Sequence, residues 1–526
     1  MSGSYNNISL INPENHILEP CALIDSEDLK NLAGSYFYSR DFDIAEFITD
    51  DVETIKHRQE LFYDMLKEPR LTSLIEELLP MLEIIQDLYK LRESSHEVEG
   101  QVYSIKLIET YISFIKTMVS RVNEFKDGIK SHSMLSFIND LNYISDSDEF
   151  KNLVKNTEKL SHDINTIKSV TVCMNLDPCF NAYEFGILSL NSEPIVSKSL
   201  IDRLLSKQEE HGFSSLCDLQ VTSRHITKEE KSFIDLSINS AMNKLLKSTI
   251  REWEPVIKTF FRKETKKFLP LIKEFKYLLF GARLMNELRE HGLPLVKPII
   301  KAKEEKSFRI KSLYNPIMAL NLEKIVYNDI EFDQNGMIYI LTGPNSGGKS
   351  VFISSVGICQ LFAQLGFLVP ARNAEISPVD HIFVSFIDKS DSKKAGRLEE
   401  ECIKMRNVFS SLTQYALVLM DETFSSTSSY EGQHIAYDVV AGLAAFGCRA
   451  VFSTHIHELL PMIQSINDNP NTLSKVDSLI VDIDSAGKRT YKVSRAVSDG
   501  KSYAKTISDK YGLSYESIIS QLQHKK

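Results

Sequence analysis

Residues 339–350 read Tyr-Ile-Leu-Thr-Gly-Pro-Asn-Ser-Gly-Gly-Lys-Ser, and this stretch constrains the fold most tightly. Tyr339, Ile340 and Leu341 form the short apolar run of a buried strand. Gly343, Pro344, Asn345, Ser346, Gly347, Gly348, Lys349 and Ser350 then fit G-x-x-x-x-G-K-[ST]. Glycines there let backbone N–H groups approach phosphate oxygens, a lysine faces the β- and γ-phosphates, and the serine hydroxyl is a ligand for Mg²⁺. Val351, Phe352, Ile353, Val356, Ile358 and Leu361 follow at near-helical spacing, so the phosphates would sit at a helix N-terminus. Strand, glycine loop and helix in that order imply a nucleoside triphosphate site, with ATP and Mg²⁺ as the expected cofactors.

A second apolar run, Tyr415 to Met420, ends in Asp421 and Glu422, 72 residues beyond Lys349. A strand ending in two carboxylates at the edge that carries a phosphate loop has a mechanical meaning. Asp421 can hold the metal ion, and Glu422 can polarise the attacking water. A third run ends Phe452-Ser453-Thr454-His455, where His455 can reach the γ-phosphate and sense it. Between them lies Thr423 to Gly432, dense in hydroxyls, a composition that equally suits helix capping.

Around this centre the chain changes character. Only eight of the 21 glycines fall before residue 300, so segments there are long. Residues 1–25 read as a loose or strand-like leader, and 26–295 as a helical lever and clamp region. Val102–Val122 carries Ile105, Ile108, Ile112, Ile115 and Val119 on one helical face. Similar patterns run through Met81–Leu91, with Pro80 in the first turn, and through Lys231–Leu246. Alternation from Val170 to Leu176 and from Tyr183 to Leu190 around Asp177-Pro178 predicts a hairpin inserted at about 170–194. From 296 to 526, Met337–Leu341, Ile382–Ile387, Ala416–Met420, Ala450–Phe452 and Leu479–Ile483 alternate with helical runs, which implies an α/β domain with a mixed sheet.

The net charge of −10 argues against a surface coated throughout in nucleic acid but allows a local basic patch. Lys258, Arg262 and Lys266 stand at i, i+4 and i+8 and would share a helix face. Two readings stand for them, a solvated surface and a contact with a phosphate backbone. The seven cysteines lack C-x-x-C spacing, as expected of reduced thiols in a cytoplasmic protein. No run of 18 apolar residues predicts a membrane span, and no basic-then-apolar N-terminus predicts a secretory signal.

Phosphate loop GPNSGGKS, then LVLMDE, then TFSSTSSYEG, then FSTHIHEL together resemble the MutS family of DNA mismatch-repair ATPases. Phe367 to Ala371 is similar to the family's F-V-P-A segment, and Val497 to Ala504 to its V-x-x-G-x-x-x-S-Y-G tail, more compactly spaced. The resemblance is close over about 308–520 and implies an α/β P-loop NTPase domain of ABC/MutS type behind helical levers. It also implies a homodimer joined through the ATPase domains and their C-terminal helices, closing around DNA. Two departures are expected to matter. No Phe is followed by Glu two positions on, and about 25 residues precede the levers, so a mismatch-reading wedge is not expected. The C-terminal nuclease extension of the second bacterial MutS branch is likewise not expected. Where the family carries a Ser-Thr signature, this chain reads Ala395 to Glu401 without a hydroxyl. Arg397 is the nearest phosphate donor there, either a trans contact to a partner's γ-phosphate or part of a solvated helix face.

The function expected is therefore an ATP-dependent clamp that binds branched or damaged DNA by backbone and shape. A clamp on ribosomes or RNA, and a nucleotide-gated scaffold with slow hydrolysis, are the alternatives. An ABC transporter lacks support, because L-S-G-G-Q is missing.

Overall fold

The computed structural model describes residues 9–12, 23–34, 42–95, 97–165, 168–179, 182–193, 254–261, 265–386, 396–425, 427–484 and 488–496. The helices of a dozen residues or so and longer are α2 (Val52–Lys67), α3 (Pro69–Ser94), α4 (Glu97–Val122), α5 (His132–Asp146), α6 (Asp148–Asn165), α7 (Leu271–Glu290), α8 (Lys349–Gln364), α9 (Arg397–Ser411) and α10 (Ser429–Phe446), preceded by a short α1 (Ser26–Ala33). The strands are β1 (Ser169–Leu176), β2 (Ala182–Asn191), β3 (Ile299–Ile300), β4 (Phe308–Leu313), β5 (Asn328–Phe332), β6 (Ile338–Thr342), β7 (Asn373–Ile376), β8 (Ile382–Ser385), β9 (Leu417–Asp421), β10 (Arg449–Ser453), β11 (Val476–Ile483) and β12 (Arg489–Arg495). The expected helix at Lys231–Leu246 and the tail from Val497 lie outside the described residues.

The chain forms two units. One comprises Met1–Ile8, Ser73–Asp127 and Leu135–Phe275; the other comprises Ser9–Thr72, Gly128–Met134 and Lys276–Lys526.

Among the described residues, the first unit is helical apart from one hairpin. In α4, Ile105, Ile108, Ile112 and Ile115 are buried as their spacing predicts, but Leu107, Tyr111, Phe114 and Met118 are buried too. The apolar face is therefore wider than one stripe, as befits a helix packed by several neighbours. Tyr111 stands edge-on to Phe150, Phe260 and Phe268. Pro80 does not start a helix; it lies inside the 26-residue α3. Pro80 is on the exposed face, while Leu74, Leu78, Leu82 and Ile85 continue the buried face through it, so packing outweighs the lost N–H. Strands β1 and β2 pair antiparallel from Ser169↔Asn191 to Leu176↔Ala182, the expected hairpin.

The second unit is built on a six-stranded sheet ordered β12-β11-β6-β10-β9-β8. From β11 to β8 the pairings are parallel, and β12 closes the edge antiparallel, which makes a mixed sheet. The strands β6, β8, β9 and β10 are buried at every position, the signature of a parallel sheet covered on both faces. A second sheet, β3-β7-β4-β5, lies in the same unit. Helix α8 packs against β9 and β10 on one side and β4 on another, which is why almost all of it is buried. Its Gln364 reaches the carbonyls of Thr49 and Val379 through Nε2, tying in the early chain.

That early chain is part of the second unit's core. Arg58 of α2 is buried and gives its guanidinium hydrogens to the carbonyl of Ile11 at 3.1 Å, to Asn12 Oδ1 at 3.1 Å and to the carbonyl of Phe47. Phe47 stacks on Tyr277 with ring centroids 4.4 Å apart. Gly281 of α7 lies so close to the rings of Phe62 and Phe367 that an added Cβ would stand 2.6 Å from each. Among the described residues no helix is long and apolar enough to cross a membrane.

Candidate nucleotide site

Strand β6 delivers the glycine loop, and its parallel neighbours decide what faces it. β10 pairs with β6 on one side and with β9 on the other, so all three strands end at the same sheet edge. This places Ser453 and His455, from the end of β10, between the loop and Asp421-Glu422 from the end of β9. In open α/β sheets, ligands bind in such a crevice at the carboxyl ends of the strands.

The loop takes a shape that side chains disfavour. Gly343 has φ 147°, and a Cβ there would stand 2.8 Å from that of Val481. Gly348, at φ 97°, is the N-cap of α8. Ser346 also has a left-handed backbone, φ 56°. Asn345, Ser346 and Ser350 are exposed, whereas Pro344, Gly347 and Lys349 are buried. Lys349 Nζ donates to the carbonyls of Gly343 at 3.1 Å and Pro344 at 3.4 Å. It also stands 3.8 Å from Glu422 Oε1. Burial lowers the Lys349 ammonium below the ordinary lysine range, against the opposing pull of Glu422 and Asp421. A buried cation that leans on carbonyls is poised for a stronger anion.

The carboxylates are each held. Ser453 sits opposite Asp421 in the β10–β9 register and donates its hydroxyl to Asp421 Oδ1. The Glu422 N–H donates to the Ser453 carbonyl at 3.0 Å and reaches its Oγ at 3.3 Å. Glu422 has φ 55°, a strained setting for a residue with a side chain, and such outliers gather at functional sites. Its Oε1 meets His455 Nε2 at 2.6 Å. The ends of the apolar runs point to Asp421, Glu422 and His455, but nothing local gives Ser453 a role. Parallel strand register, which is not written in the sequence, sets it beside Asp421.

Asp421 and Ser350 are hard oxygen donors at one sheet edge. That suits Mg²⁺, which takes one or two protein oxygens and fills its other positions with water and phosphate. Ser350 and Asp421 are thus the residues that could hold the ion.

The hydroxyl-rich loop divides into two roles. Thr423 Oγ1 donates to the Ser385 carbonyl at 3.4 Å, bracing the turn after Glu422. Thr427 and Ser428 instead donate to Glu431, whose N–H returns to Ser428 Oγ, so they cap α10. Of the glutamates in the altered signature segment, Glu399 is exposed, while Glu401 accepts the N–H of Phe424 at 2.8 Å. Arg397 is the first residue of α9, behind Gly396; its side chain lies outside what is described.

Of the three basic residues expected on one face, Lys258 is exposed and pairs with Glu254 at 2.5 Å in the helical stretch 254–261. Arg262 lies outside the described residues, and Lys266 belongs to the 3₁₀ turn Thr265–Phe268.

Fold and loop together define an α/β domain of P-loop type. The chain belongs to the MutS family: residues 339–525 match MutS domain V, and residues 50–308 match the MutS2 N-terminal domain. It is 34% identical over 247 residues to the DNA mismatch repair protein MutS of Prochlorococcus marinus (strain MIT 9301), covering 44% of this chain and 27% of that protein. The MutS of Macrococcus caseolyticus (strain JCSC5402) is 32% identical over 177 residues, 33% of this chain and 21% of the relative. That of Rhodopirellula baltica (strain DSM 10527 / NCIMB 13988 / SH1) is 30% identical over 221 residues, 40% of this chain and 24% of the relative. The match thus spans about a quarter of the length of these relatives.

Proposed function

We propose that this protein is an ATP hydrolase whose nucleotide state gates a clamp on DNA, with Gly343–Ser350 as the phosphate cradle. The observation that carries this reading is the meeting of Lys349, Glu422 and His455 at one sheet edge beneath a glycine loop. The loop amides and Lys349 bind the β- and γ-phosphates. Ser350 and Asp421 would hold Mg²⁺, which would supply positive charge against the phosphate oxygens. Glu422 takes the proton of the attacking water, and His455 orients its carboxylate and senses the γ-phosphate. Ser453 keeps Asp421 and the Glu422 backbone in place.

The DNA half of the reading rests on family membership and on relatives named DNA mismatch repair protein MutS. In it, 26–295 supplies the levers and clamp behind a leader at 1–25. Residues 296–526 form the ATPase domain, which pairs with a second copy through its C-terminal helices in the cytoplasm. Lys258, Arg262 and Lys266 contact the phosphate backbone, and Arg397 reaches the partner's γ-phosphate. Binding is by shape and backbone.

The test is a gel shift on matched, G·T-mismatched and four-way-junction DNA, with and without ATP, beside a turnover assay. ATP-dependent retention of junction DNA together with turnover supports the reading. Retention of ribosomes in place of DNA would move it to an RNA-associated clamp, and ATP binding without turnover to a nucleotide-gated scaffold.

A further inference from the structure

Glu401 stands in a glutamate-rich stretch, Glu399 to Glu401, that a phosphate site has no evident use for. Its carboxylate does not face solvent alone. Oε2 accepts the N–H of Phe424 at 2.8 Å, bridging from the second turn of α9 to the loop that follows β9. That loop is unusual at each step. Glu422 has φ 55° and Phe424 φ 65°, both left-handed settings in which a side chain is strained. Phe424 is buried in the apolar cluster that also holds Met405, Met420 and Ile456. Thr423 between them is buried and bound to the Ser385 carbonyl.

Such a turn persists only where its surroundings hold it. Three contacts do so: Ser453 holds the Glu422 N–H, Ser385 holds the Thr423 hydroxyl, and Glu401 holds the Phe424 N–H. Of these three, the last comes from a charged side chain on a helix, and a carboxylate is the strongest acceptor for a backbone N–H. The direction of the Glu422 side chain depends on the backbone of residues 422–424. We infer that Glu401 is a positioning residue for Glu422, fixing through the Phe424 N–H the turn that aims the Glu422 carboxylate at Lys349 and His455. This rests on the reading of Glu422 as the base for ATP hydrolysis. It also gives one member of the acidic stretch, Glu401, a bracing role that needs no contact with phosphate.

The experiment uses the full chain and compares Glu401→Ala, Glu401→Gln and Glu422→Gln, alone and combined. Turnover is measured beside the affinity for a fluorescent ATP analogue. Glu401→Ala should lower kcat on the order of 10- to 100-fold, the usual effect of misplacing a catalytic group, with nucleotide affinity almost unchanged. Glu401→Gln keeps an oxygen acceptor and should restore most of the rate. Adding Glu401→Ala to Glu422→Gln should cost little more, because both act through one carboxylate. Normal turnover in Glu401→Ala, equal loss in Glu401→Gln, or a loss that appears in affinity alone overturns the inference. Full turnover in Glu422→Gln would instead remove the base itself and the inference with it, so the two failures are told apart.

Discussion

His455 Nε2 lies 2.6 Å from Glu422 Oε1, although 33 residues separate them in the chain. The contact exists because β9 and β10 are parallel neighbours in register, with Ser453 opposite Asp421, so both strands release their next residues at one edge. A carboxylate whose Oε1 meets the His455 imidazole and also stands 3.8 Å from Lys349 Nζ is oriented before any substrate arrives.

Glu422→Gln should therefore bind ATP as the unaltered protein does, while hydrolysis slows by roughly two to four decades, the usual worth of a positioned base. Single-turnover release of phosphate checks this. Equal rates would take Glu422 out of the mechanism.

Lys349→Ala should weaken nucleotide binding about a hundredfold, since it removes a charged donor to the phosphates. The buried ammonium rests on two loop carbonyls and near Glu422, so little folding stability should be lost with it. Nucleotide titration and thermal unfolding on the same preparation separate the two effects. Undiminished affinity would show that the phosphates sit elsewhere.

Gly281→Ala tests the packing that joins α7 to the sheet domain's core. The new methyl would meet the rings of Phe62 and Phe367 at 2.6 Å. Both rings are fully buried, so neither can swing into water. A loss of about 1–3 kcal/mol in urea unfolding is expected, the range for overpacking a core. A stability within error of the unaltered protein would mean that the rings have room to move.

Acid should destabilise the fold partly through His381. Burial lowers its imidazole below the ordinary histidine range, and its Nε2 is buried without a hydrogen-bond partner among the described residues. The folded state thus binds a proton less readily than the unfolded chain. Its contribution is complete above about pH 6.5 and is lost as pH falls through the folded value. His57, also lowered by burial, acts in the same direction. His381→Phe keeps a ring to stack on Phe383, whose centroid lies 4.0 Å away, and removes the titration. Its unfolding midpoint should fall less between about pH 7.5 and pH 5.5 than that of the parent. An identical fall would assign the pH dependence to other groups.

Local pattern alone determined much of this protein. Apolar runs bounded by glycine and carboxylate marked β6, β8, β9, β10 and β11 to within a few residues, because a buried parallel strand must be apolar on both faces. The phosphate loop, Asp421, Glu422 and His455 were legible as candidates because each stands at the end of such a run. Tertiary structure decided what no local pattern carries. Pro80 lies within α3 because the packing on either side of it continues. Arg58, though charged, is buried because carbonyls from Ile11 and Phe47 converge on it. Ser453 meets Asp421 through strand register, and Glu401 meets Phe424 across 23 residues through the seating of α9. Composition and periodicity report how one segment meets water. Which segments meet each other depends on strand order and helix seating, and these are settled only when the whole core closes.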